Sequence, residues 1–384
     1  MANLWEIWDQ EWGLTVTLAG VDVSNKTVGQ VTIEAPENGI STAKLNVVGW
    51  PNSKRPEEET DTVSVIIDGN YENDAGGTTT VRLYKGYARR PTYEYISGVY
   101  EVTAGDKFSL MVDEPTDEPD DYSDAPYDSS GGGVGDFGTT EGGDYSPHSG
   151  SDFGDEQPSY TLVNIKNIVE SILADKGIAI TQWSADRFPD VCDLSKLGNE
   201  QRDKYSLIKQ VLYLWGNVQI ALTPGETAHI YPLDVAVTPD YTFTDDHIRN
   251  FLEMKKQVDP ISMIINTQKI RNEEAGIKTE FRDTASIAVY GVKPGQVVDN
   301  NFIGSLEAAR NVAKAIISES HHRITNEIAI PSMPYFRRGQ TIKVTSSIYN
   351  LDFQALLRSY RHTFNMDTGD AFTQGKFRVR KHGY

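Results

Sequence analysis

The sequence predicts a mainly β protein with α+β insertions, in which two barrel-like β domains stand at either end of the chain. Three observations predict it. Short runs of partly alternating apolar and polar residues, separated by turn formers, fill Leu14–Leu110 and return over Glu327–Arg380. Between them apolar residues recur at helical spacing, and a stretch rich in Asp, Glu, Gly, Ser and Pro divides the first β region from the helical one. The expected division is a barrel-like domain over 1–112, an acidic insertion over 113–158, an α+β domain over 159–240 and a second barrel-like domain with a helical insertion over 241–384.

In order along the chain, Leu14–Leu18, Gln30–Ile33, Ala43–Val48, Val63–Ile67 and Thr80–Arg90 read as strands, with Gly69–Gly77 as a surface turn. Gly98–Thr103 and Asp106–Met111 either complete that sheet or lead out of it. So many strands in about 100 residues call for a barrel or sandwich to hide their edges. From Asp113 to Pro158 there is no Lys or Arg and aromatics occur singly, a composition that buries too little apolar area to offset ordering entropy; it reads as a mobile surface insertion.

Ile165, Ile168, Val169, Ile172 and Leu173 share one helical face, and Gly177 ends the pattern before a short strand at Ile178–Ile180. A second helix carries Leu207, Ile208, Val211, Leu212 and Trp215, then runs into the hairpin Val218–Leu222 and Ala228–Tyr231. Its apolar face gives that helix something to cover. Tyr241–Thr244 is a strand, Asp246–Lys256 holds a turn of helix, and Ile261–Asn266 and Ala285–Gly291 read as strands. Leu306, Ala309, Ala313, Ile316 and Ile317 form the apolar stripe of the longest helix. Strands at Asn326–Ile330, Thr341–Thr345, Leu357–Asn365 and Gly375–Arg380 close the chain, the last two joined by a long turn over Met366–Thr373.

The chemistry is sparse. The net charge of −19 argues against a surface that holds nucleic acid, since such affinity relies on Lys and Arg displacing counterions; it suits equally a surface that lets nucleic acid pass and simple solubility. No charge-free run approaches the roughly 20 residues needed to cross a bilayer, so stable membrane insertion is not expected. The first residues lack a basic-then-apolar leader pattern, which implies cytoplasmic synthesis. A single cysteine, Cys192, excludes an intrachain disulfide and reads as a packed thiol. His321 and His322 lack the spacing of a zinc helix, and no nucleophile elbow occurs. His362 alternates with its neighbours on a strand and reads as part of an interface or solvated face. The glycines at Gly131–Gly135 have no following Lys-Ser or Lys-Thr, so they form a spacer and not a phosphate loop. No catalytic residue, metal or cofactor is expected.

Basic residues gather towards the end, and on the closing hairpin Lys376, Arg378 and Arg380 would share one side as a cationic stripe. With the aromatics, they supply the candidate interface residues: Tyr84, Tyr87, Tyr213, Trp215, Arg337, Arg358, Arg361 and Arg378, since buried Arg and aromatics dominate contact energies.

The order of these features resembles the baseplate and tail-tip hub proteins of tailed bacteriophages, the group that includes late-control D-like hubs. The resemblance lies in Thr80–Arg89, in the helix-to-hairpin segment Tyr205–Ile220, and most of all in Arg337–Val344, Leu357–Asn365 and Gly375–Arg380. It implies a homotrimer whose two barrel-like domains per chain make a pseudo-sixfold ring. Such a ring would join a tail tube or distal tail protein to a central spike or fibre, adapt sixfold to threefold symmetry, and let DNA pass transiently. The α+β units would meet neighbouring subunits or peripheral baseplate proteins, and the location would be the virion tail. The alternatives are a carbohydrate-binding adhesin using aromatics around Tyr93–Ile96, and a hydrolase.

Overall fold

The computed structural model describes residues 12–37, 39–49, 62–72, 77–89, 91–94, 96–112, 114, 162–182, 191–193, 203–216, 218–233, 236, 238–273, 275–331 and 333–379. Apart from Glu114 the acidic insertion lies outside the described residues, as do Arg380 and Tyr95.

The two terminal β regions do not close into separate barrels. Among the described residues they join as one open 14-stranded sheet whose strand order runs from Glu253–Val258 to Val21–Asp22. The strand Leu351–Asn365 makes the junction by changing partners along its length. Its first part, Leu351–Leu356, pairs with Thr341–Ser346, and its last part, Tyr360–Asn365, pairs with Thr27–Ala35. On its other side it pairs with Ala371–Val379, with a register shift between Leu357 and Ser359. Each terminal region thus covers an edge of the other, and this corrects the expectation of two barrel-like domains. Strand edges need a partner, and a second region of the same chain supplies one as well as closure does.

Packing follows the seam. An N-terminal core of Val16, Val31, Ile33, Leu45, Ile67, Leu83 and Val102 also takes in Phe364 from the C-terminal strand. A C-terminal core of Phe243, Ile330, Phe336, Ile342, Leu357 and Phe377 takes in Ala35 from the N-terminal strand. At Gly375 a Cβ would lie 2.7 Å from the Phe377 ring and 3.2 Å from Leu357, so glycine lets the buried ring fold back against its own strand.

The helices form a third core. Helix α1 (Ile165–Asp175) starts where the Asn164 side chain accepts from Lys166 N at 2.8 Å, and Gly177, at φ +59°, follows its end. Helix α2 (Lys204–Tyr213) is capped by Asp203, which accepts from Ser206 N at 2.8 Å. Ile168, Ile172, Leu207, Val211 and Trp215 pack with the hairpin Val218–Leu222 and Ala228–Pro232. Cys192 is buried in the same core.

Later segments depart from the pattern read in the sequence. Asp106–Met111, which the sequence left either to complete the sheet or to lead out of it, leads out: Asp106 accepts from Phe108 N at 3.0 Å and starts a 3-10 helix over Lys107–Met111. Helix α3 (Asp245–Ile248) is one turn, after which Glu253–Val258 is a strand. Ile261–Met263 is a 3-10 turn, and the strand begins later, at Thr267–Asn272. Ala285–Gly291 is helix α4 (Thr284–Tyr290) because Asp283 caps Ser286 N at 3.0 Å and Gly291 ends it at φ +69°. Local capping overrides the alternating pattern there. Helix α5 (Leu306–His321), capped by Ser305, buries Ala308, Ala309, Val312 and Ala313 in the core of α1 and α2. No helix among the described residues is long and apolar enough to cross a membrane.

Candidate functional site

The charged groups concentrate where α5 and the helical core meet the terminal sheet. A cleft of about 730 Å³ opens there, with Tyr205, Tyr213, Ile316, Glu319, Arg358 and Arg378 among its walls. Arg358 sits at the register shift of the long strand, between Leu357 and Ser359, and is only 4% exposed. A guanidinium this deep requires ionic partners, and it has two. Its Nε and Nη2 donate to Glu37 Oε1 at 2.8 and 2.5 Å, and Nη2 donates to Glu319 Oε1 at 2.7 Å. Glu37 follows the N-terminal strand Thr27–Ala35, while Glu319 lies in the last turn of α5. Arg378, on the last strand, donates to the same Glu319 oxygen. One arginine and one glutamate therefore tie the two chain ends and the helical unit together.

Glu319 receives more positive charge than any other described carboxylate in the cleft. Burial pushes its carboxyl up, but the neighbouring His322 and the Arg358 and Arg378 guanidiniums outweigh that and hold it at about 2. Beside this network Arg338, also 4% exposed, donates from Nη1 to Pro36 O and Gly39 O at 2.8 Å each. The loop after Thr27–Ala35 is thus gripped by two arginines from the far end of the sequence. Gly339 turns the chain at φ +87° and brings its Cα against the Tyr231 ring, where a Cβ would lie 2.5 Å away. The hairpin of the helical core and the C-terminal sheet meet at that contact.

A second clasp joins the hairpin to the N-terminal sheet. Glu226 adopts φ +61°, a left-handed conformation costly for a residue with a Cβ. Its carboxylate accepts from Lys85 Nζ at 2.5 Å and Tyr87 OH at 2.7 Å. Those bonds hold it in place, and burial followed by the bond to Glu226 pushes the Tyr87 phenol up to about 12.

The structure also brings together groups that are far apart in the sequence. Ser286 Oγ lies 3.1 Å from His321 Nε2, and Asp283 Oδ2 lies 3.8 Å from His321 Nδ1. Serine beside histidine was not foreseen, because α4 was read as a strand. Ser286 has no exposed surface, so the contact ties α4 to the end of α5 and offers no nucleophile to a substrate. Among the described residues no group of three or more His, Cys, Asp or Glu is arranged to hold a metal ion.

The expected site residues divide by environment. Tyr84, Trp215 and Arg358 are buried within the chain. Tyr87, Arg337 and Arg378 are half-buried and make internal bonds: Tyr87 to Glu226, Arg337 Nη1 to Pro334 O and Phe336 O, and Arg378 to Glu319. Tyr213 and Arg361 are exposed, with Arg361 Nη2 donating to Glu34 Oε1 at 3.1 Å. The expected cationic stripe is broken: Lys376 is exposed, but Arg378 turns to Glu319. His362 is fully buried and not on a solvated face. Its Nδ1 is 2.8 Å from Thr373 Oγ1, and burial, then the nearby Arg337, lowers it to about 3, which keeps the imidazole neutral. Glu37 and Glu319, the carboxylates that organise the cleft, were missed. Their signal was available only as unpaired acidic residues opposite a basic carboxy-terminal region.

No protein-family model matches the sequence, and no curated protein matches it. Solved structures do. A 43 kDa tail protein of prophage MuSo2 from Shewanella oneidensis is 12% identical, with 95% of this chain and 97% of that one covered and a TM-score of 0.60. A tail protein from Neisseria meningitidis MC58 is 11% identical over 96% of each chain, with a TM-score of 0.59. A prophage tail protein from Listeria monocytogenes EGD-e is 10% identical over 97% of this chain and 95% of that one, with a TM-score of 0.57. The chain has the fold of these phage-type tail proteins along nearly its whole length. The resemblance to tail hub proteins seen in the sequence is thereby borne out at the level of the fold.

Proposed function

We propose that this chain is a structural subunit of a phage-type tail end, the hub of a baseplate or tail tip. It works by assembly and not by catalysis: as a homotrimer in the virion tail it links the tail tube to a central spike or fibre and adapts sixfold to threefold symmetry. The observation that carries this reading is that the likeness to tail proteins spans both whole chains, sheet and helical unit together, so it concerns the architecture and not one shared module. The rigid clasp at Arg358 supports it, since a subunit that transmits load between partners needs its two β regions and helical unit fixed relative to one another. Tyr213 and Arg361 are the interface candidates that the single chain leaves exposed. The negative net charge suits transient DNA passage without binding.

Electron microscopy of the purified protein, with its mass measured in solution, tests the reading. Threefold particles with a central opening and three chains' mass are expected. A stable monomer at micromolar concentration, with no ring in the images, would overturn it.

A further inference from the structure

At the end of the sheet, Glu253–Val258 pairs with Ile324–Pro331 on one side and with no strand on the other among the described residues. Most of its residues are exposed, Lys255 and Lys256 among them. A free edge presents unpaired backbone donors and acceptors to any extended chain that comes alongside. Next to it lies a cleft of about 740 Å³, with Phe251, Met254, Ile324, Phe353 and Val379 in its largely apolar wall. Asn326 also lines this cleft. It is 2% exposed, and its Oδ1 has no hydrogen-bond partner. A buried acceptor left unmatched is costly, so its presence in a cleft wall points to a donor that arrives with a ligand.

The three features specify an occupant: an extended segment with a carboxylate for Lys256, Lys255 being already paired with Glu253 at 2.6 Å, bulky apolar side chains for the cleft, and a side-chain N–H for Asn326. Residues 1–11 of this chain have that chemistry, with Leu4, Trp5, Ile7 and Trp8 set among Glu6, Asp9 and Glu11, and tryptophan is an apolar side chain that carries only a donor. They lead into Trp12–Leu18, which lies near the opposite end of the strand order. We infer that residues 1–11 of one copy dock along the Glu253–Val258 edge of a second copy and fill the Asn326 cleft. The contact is head-to-tail, using different surfaces on each copy, which closes into a ring when the rotation allows. It rests on the homotrimer reading above and supplies a joint for it.

The full chain and a variant lacking residues 2–11 are compared by mass in solution, with circular dichroism as a check that both fold. In parallel, a fluorescein-labelled peptide of residues 1–12 is titrated into the truncated chain and followed by anisotropy. The full chain is expected to associate and the truncated chain to be monomeric or at least tenfold weaker in association. The peptide is expected to bind saturably, one per chain, and binding should fall at least tenfold in a Lys255→Glu, Lys256→Glu double variant and in Asn326→Leu. Unchanged association of the truncated chain, or a peptide that does not bind, overturns this inference and leaves the trimer standing. A monomeric full chain overturns both, and if the peptide still binds the truncated form, the segment folds back on its own chain.

Discussion

The seam at Leu351–Asn365 and the edge at Glu253–Val258 belong to one sheet, yet they solve opposite problems. At the seam, strands from the two ends of the chain pair, exchange Phe364 and Ala35 between their cores, and bury two arginines against partners across the join. At the edge no further strand pairs among the described residues, charges face solvent, and an unmatched acceptor lies in an open cleft. A buried ion pair is thus a mark of internal structure here, while exposed lysines on an edge strand beside an open cleft mark a surface available to something else.

The contrast is broken most directly at Arg358. Replacing it with alanine leaves Glu37 and Glu319 without their shared guanidinium, and the expected loss is on the order of 3–5 kcal/mol in urea unfolding at neutral pH. A loss below about 1 kcal/mol would mean that the clasp does not hold the ends together. Gly375→Ala tests the packing beside it. The added Cβ meets the buried Phe377 ring, so a cost of roughly 1–3 kcal/mol and a lower Tm are expected, and an unchanged Tm would show that the ring has room to move.

Acid sharpens the same comparison. The Glu319 carboxyl is held at about 2 in the fold against an ordinary value of 4.5, so its contribution is complete above about pH 4.5 and is lost as pH falls towards 2. Thermal melts between pH 5 and 2 should therefore fall more steeply for the parent chain than for Glu319→Gln; parallel slopes would remove Glu319 from the account. Asp106 has the opposite sign. Burial raises its carboxyl to about 6 despite its bonds to Ser41 and Phe108 and the nearby Arg338, so its charged form opposes folding increasingly as pH rises from about 4 to 6. The smallest effect belongs to Arg361, whose pair with Glu34 is exposed on both sides. Arg361→Ala should change stability by less than about 1 kcal/mol, and a loss as large as that of Arg358→Ala would erase the distinction between the two arginines.

Much of this architecture was legible in the sequence. Alternation located most strands of the terminal regions, and helical spacing with Gly177 and Ser305 bracketed α1 and α5, because those elements bury one face and expose the other. The sheet's continuity was not legible, since the pairing of Tyr360–Asn365 with Thr27–Ala35 depends on two segments meeting across the whole chain. For the same reason Arg358 looked like an interface residue: nothing near it in the sequence reveals Glu37 or Glu319. Helix α4 was misread because Thr284–Tyr290 has the composition of a strand, and only the Asp283 cap and Gly291 decide otherwise.

Joining residues 321 positions apart also governs how the protein emerges from the ribosome. At about 5–20 residues per second, the strand Thr27–Ala35 waits on the order of 15–65 s for the partner that completes its pairing. During that interval the nascent amino-terminal β region carries an unfinished border, and the clasp that will grip its Pro36–Gly39 loop has not been synthesised. Heavy translation of neighbouring chains would then favour pairing between molecules, making less frequent initiation or a holding chaperone the condition for a good yield of native subunit.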